Sequence, residues 1–126
     1  MDVYWFLLFY LLTVSIETPI LCLGLAPEHP WSRRVFCGFW LTACTYPIVW
    51  WVVPEWFSPN NLGERAYYLL VAESIAHFGE CGLFYVAFGP LKYFWRDMAT
   101  VFAANLASFG LGEIVYYGQG MYDVTA

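Results

Sequence analysis

Charge is what this chain has least of. Only 12% of its 126 residues are Asp, Glu, Lys or Arg, and Lys and Arg together number five. No basic stripe exists to track a phosphate backbone, which excludes nucleic acid as a partner, and no polybasic patch exists to hold anionic lipid. The four cysteines, Cys22, Cys37, Cys44 and Cys81, form no CxxC pair and lie in apolar segments. They are expected to pack as small apolar side chains, not to form disulfides or thiolate metal sites. HExxH, nucleophile-elbow, phosphate-loop and dinucleotide signatures are missing as well, so the motifs lean against an enzyme. A cleavable leader is not expected, because the first apolar run is long and follows Asp2 in place of Lys or Arg.

What fills the chain is apolar and aromatic. The hydrophobic share is 61%, the aromatic share 22% and the mean hydropathy +0.57, which points to an all-α polytopic membrane protein. Four runs, residues 3–25, 35–53, 66–88 and 98–117, are each long enough to span about 30 Å of hydrocarbon at about 1.5 Å per residue. The connections are short and breaker-rich, with Pro27 and Pro30 in the first, Pro59 in the second and Gly89-Pro90 in the third. Short connections make consecutive helices antiparallel neighbours, so residues 1–126 are expected to form a single transmembrane domain, a four-transmembrane-helix bundle. The expected partners are the lipid bilayer and, for so small a unit, further copies in a homo-oligomer or other membrane subunits.

Orientation follows from the few basic residues. Arg33, Arg34, Lys92 and Arg96 flank the first and third connections, whereas Arg65 lies at the second. The positive-inside tendency therefore predicts both termini on the non-cytoplasmic side. Tyr4, Trp5, Trp50, Trp51, Trp56, Tyr67, Tyr68, Tyr116 and Tyr117 would form one interfacial belt, and Trp31, Tyr93, Phe94 and Trp95 the other.

Shifting the chain by 63 residues lays Glu17 on Glu80, Pro27 on Pro90, Arg33 on Arg96, Tyr4 on Tyr67, Thr42 on Asn105 and Thr45 on Ser108. Overall identity in that register is low, but the rare polar residues coincide. A tandem repeat of two helical hairpins would explain this, with the relating axis along the membrane normal.

The stretch Glu73 to Glu80 puts three ionisable side chains into the third run. Glu73, His77 and Glu80 fall at i, i+4 and i+7, on one side of a helix. Ionisable groups at membrane depth are costly and usually functional. Glu17 and Glu80 lie at a common depth, about 20 Å of helix from one face; Glu73 and Glu113 lie nearer that face, and His77 lies between the levels. Gly38, Thr42 and Thr45 share a face of the second helix, and Asn105, Ser108 and Gly112 share one of the fourth. These faces are expected to meet the acids. Pro19 and Pro47 would free the carbonyls of Ser15 and Ala43, for a ligand or simply as packing kinks.

Three functions fit this pattern. One is a cation or proton path through Glu17, Glu73, His77, Glu80, Glu113, Asn105 and Thr45, with His77 coupling the two levels. Another is an accessory or structural subunit of a larger membrane complex, in which the same groups are interhelical glue. The third is a metal-dependent membrane enzyme holding a divalent metal such as iron, manganese or zinc on Glu73, His77, Glu80 and Glu17. The Glu-x-x-His pair of helical di-metal bundles is, however, missing. His29 is expected to be an unremarked loop residue, Asp97 to pair with Arg96, and Arg33 and Arg34 to set topology.

Overall fold

Two of the helices start behind a preset or capping residue, one stops at glycine and one stops before a Gly-Pro pair. A computed structural model describes residues 3–59 and 61–118. It contains α1 (Val3–Gly24), α2 (Trp31–Pro47), α3 (Leu62–Phe88) and α4 (Phe94–Gly118), with no strand among the described residues. Pro30, at φ −67°, precedes α2. The Asn61 side chain accepts from Gly63 N–H at 2.8 Å and so caps α3. α2, α3 and α4 begin four residues ahead of the apolar runs, and for α2 and α3 it is the proline and the asparagine cap that set this end, not hydropathy. Beyond Pro47, α2 continues as a π-helical turn, Ile48–Val52, and a 3-10 turn, Val53–Glu55. Proline disrupts the regular hydrogen-bond ladder, and the wider turn absorbs the disruption.

All four helices, counting α2 with its extension to Glu55, are long and apolar enough to cross a membrane. The outward faces of α1, α3 and α4 carry Leu23, Leu70, Phe78, Val86 and Ile114, each at least 68% exposed. In water such continuous apolar surface would drive association; in hydrocarbon it is the expected exterior.

α1 and α3 each pack against both α2 and α4, which puts α1 and α3 on one diagonal of a square. The square is uneven, with α1 close to its neighbours and α3 standing further off. Gly38 on α2 lies against Thr18 of α1, and Gly24 of α1 lies against Thr100 of α4, each so near that a Cβ would collide with the threonine. Small residues permit close helix approach.

Three apolar clusters fill the interior. Toward the first and third connections, the Arg34 end, Leu21, Leu25, Cys37, Leu41, Phe84, Val101 and Ala104 form a fully buried plug. Toward the second connection, the Arg65 end, Phe9, Trp50 and Tyr116 form one cluster and Val53, Tyr68 and Ala72 another. The four cysteines are free. Between plug and aromatic clusters lies a layer that is polar.

Candidate functional site

That layer is built from two carboxyl groups on diagonal helices, each held by the two helices between them. Glu17 on α1 and Glu80 on α3 are both 2% exposed. Thr42 of α2 donates to Glu17 Oε1 at 3.1 Å, and the Ser108 hydroxyl of α4 donates to Oε2. Thr45 of α2 donates to Glu80 Oε2 at 2.8 Å, and the Asn105 amide of α4 donates to Oε1 at 3.2 Å. Residues three apart on a helix share a face, so one face of α2 and one of α4 each serve both acids. A buried carboxyl group without such donors would cost several kcal/mol, on the order expected for any unpaired polar group in an apolar medium.

The two acids form the base of a cavity of about 100 Å³, space for several waters or one small ion with part of its shell. Glu73 and Tyr46 line its middle, and Arg65, Glu113 and Tyr116 line the Arg65 end. Arg65 ion-pairs with Glu113, donates to the Pro59 carbonyl at 3.0 Å and lies 4.1 Å from the Tyr116 ring centroid. Four carboxyl groups and one guanidinium therefore line one cavity. One helical turn past Glu17 and Glu80, Leu21 and Phe84 belong to the apolar plug, so the cavity ends at the acids and does not continue to the Arg34 end.

Glu17, Glu73, Glu80, Glu113, Asn105 and Thr45 all line this cavity; His77 does not. The histidine sits at the seam of α3 and α4, where its Nδ1 donates to the Glu73 carbonyl at 2.7 Å and its ring centroid is 4.5 Å from that of Phe102. Its Nδ1 lies 3.6 Å from Glu73 Oε2, and its ring packs on Phe102, outside the cavity that Glu80 lines.

Nor do Glu73, His77, Glu80 and Glu17 converge as a metal-ligand set. Among the described residues, the group whose ligand atoms lie within 4.8 Å of one another is Glu28, His29 and Asp97. Its hydrogen bonds point to a lock, not a metal centre. Arg33 can only donate, and it reaches His29 Nδ1 at 3.2 Å, so Nε2 carries the ring proton and donates to Asp97 Oδ2 at 2.8 Å. No lone pair is left on the ring for a cation. Asp97 Oδ1 accepts from Ala26 N–H at 2.9 Å.

Arg34 completes the lock by donating to the carbonyls of Cys22, Ala26 and His29 at 2.7, 2.8 and 2.8 Å. It thereby satisfies the Cys22 carbonyl, one of those that the end of α1 leaves without a helical partner, and ties it to two carbonyls of the first connection. The expected Asp97–Arg96 pair does not form; Arg96 instead donates to the Gly24 carbonyl at 3.0 Å. Neither role was readable locally, since His29 and Asp97 are 68 residues apart and Arg34 binds backbone, which leaves no pattern in side chains.

The chain matches no protein-family model, no curated protein and no solved structure, so its geometry alone carries the functional reading.

Proposed function

We propose that this chain is a small integral membrane protein whose central cavity binds a cation or protons. The observation that carries this is the convergence of Glu17 and Glu80, each hydrogen-bonded only by neutral donors among the described residues, on a cavity with four carboxyl groups and one guanidinium. Excess negative charge inside a membrane domain has to be offset by protons or by a bound cation. The apolar plug favours access from the Arg65 end, so onward movement would require Leu21 and Phe84 to part. The positive-inside tendency puts that end, with both termini, on the non-cytoplasmic side; reporter fusions at the two termini active only in the cytoplasm would refute this. The outward apolar faces fit lipid and further subunits, whether copies of this chain or others.

Vesicles containing the protein and an entrapped pH- or cation-sensitive dye test the reading. Wild-type protein should dissipate an imposed gradient, and Glu80→Gln, which keeps the shape but removes the charge and puts an amide N–H donor where one carboxylate oxygen accepts, should slow it at least about tenfold, the loss of roughly 1.4 kcal/mol of charge-dependent binding. Wild-type vesicles no faster than empty ones would remove the proposal. The rival, an accessory subunit, is favoured by the donor satisfying each carboxylate oxygen, as glue requires. It predicts no flux but weaker assembly in the Gln variant.

We also infer that the two hairpins arose by tandem duplication, since the 63-residue shift carries each hydrogen bond of the polar layer onto another.

A further inference from the structure

Between α3 and α4 the outward surface opens into a lateral cleft of about 460 Å³, walled by Leu70, Phe78, Phe102 and Leu106, with Glu73 and His77 on its α3 side. That volume is within the range of small-molecule sites, which combine apolar walls with a few oriented polar groups. Two features separate this cleft from the other outward faces. The first is His77, 5% exposed, whose Nε2 has no hydrogen-bond partner. Its Nδ1 faces the Glu73 carbonyl oxygen, which can only accept, so in the neutral ring Nε2 is a buried lone pair lacking a donor. An unmet buried acceptor is costly unless something donates to it.

The second feature is Glu73, which lines both this cleft and the central cavity. Among the described residues its near polar neighbour is His77, 3.6 Å from Oε2 to Nδ1. Glu73 and His77 stand one helical turn apart on α3. His77 Nε2 offers a lone pair, so a ligand that meets it must donate. The walls open outward, with Leu70, Phe78 and Leu106 more than half exposed, so the ligand must also be soluble in hydrocarbon.

We propose that this cleft binds a bilayer-borne amphiphile with a hydroxyl head group, its O–H donating to His77 Nε2 and its apolar body lying along Leu70, Phe78 and Leu106. The Phe102 ring, 41% exposed and tilted against the imidazole, swings aside to admit the head.

The test uses the whole protein in lipid nanodiscs and two photoreactive probes, a long-chain primary alcohol and its methyl ether. The alcohol should label the peptide containing Phe102 and Leu106 at about tenfold lower concentration than the ether, the worth of one hydrogen bond to a buried acceptor. His77→Phe should erase that preference, and Leu106→Trp, which fills the cleft from its exposed wall, should abolish labelling there. Equal labelling of the wild-type protein by both probes, or labelling spread evenly over the outward faces of all four helices, overturns the proposal.

Discussion

One carboxyl group, Asp97, ties the first connection to the fourth helix. It is fully buried, and its two oxygens take a backbone N–H from Ala26 and the imidazole N–H of His29. Replacing it with alanine leaves two buried donors unpaired, at about 1–3 kcal/mol each. Asp97→Ala should therefore lower the thermal midpoint of the purified protein by several degrees or more, with about 2–4 °C expected per kcal/mol in a domain slightly larger than this one. Arg96→Ala supplies the contrast. Its guanidinium donates to the Gly24 carbonyl at an exposed position, and its loss should cost less than about 1 kcal/mol. Circular-dichroism melts of both variants in the same micelles compare them directly. Equal shifts would mean that the lock carries no special weight. Burial separates the two residues, although they are adjacent in sequence and look like one ion pair.

Helices were legible from the sequence to different degrees in their bodies, ends and facing. The bodies follow from apolar runs that nothing but a membrane-spanning or deeply buried helix would need. The polar faces also follow: Thr42 with Thr45, and Asn105 with Ser108, are close enough in sequence that any helix presents each pair together. The ends do not follow from hydropathy, because Asn61, through its side-chain cap, and Pro30, through its fixed φ, start helices inside segments that read as loops. Rotation about the axis is harder still. His77 shares a helix side with Glu73 and Glu80 in an idealised projection, yet Glu80 meets Thr45 and Asn105 while His77 meets Phe102. Tertiary packing chooses which part of a broad face turns inward. On α1 that choice is fixed by Gly24 and Gly38, whose missing side chains admit Thr100 and Thr18; α3 has no such contact at Gly79 or Gly82, where added carbons would meet Thr45 only at 3.6 Å or nothing. The lateral cleft and the looser seat of α3 have this common origin.

Across the whole molecule, the polar layer has an internal correspondence that neither hairpin displays alone. Moving 63 residues along the chain turns the Thr42–Glu17 bond into Asn105–Glu80, and the Thr45–Glu80 bond corresponds in the same way to Ser108–Glu17 once the second half is carried onto the first. Buried positions follow suit, with Leu21 matching Phe84, Leu41 matching Ala104 and Val14 matching His77. If the layer has two-fold character, Thr42 and Asn105 should be exchangeable, because each occupies the equivalent corner and supplies one donor to its acid. The double variant Thr42→Asn with Asn105→Thr keeps every donor and every atom of the wild-type inventory while moving the bulk to the other corner. It should unfold within about 1 kcal/mol of wild type, whereas Thr42→Val, which removes a donor and keeps the shape, should cost about 1–3 kcal/mol. The single replacements alter side-chain volume at one corner only, so each should be less stable than the double, a coupling of about 0.5 kcal/mol or more for neighbours in one network. Reversible unfolding in mixed micelles measures all four. A double variant no better than the sum of its single changes would mean that the matching hydrogen bonds do not reflect interchangeable halves.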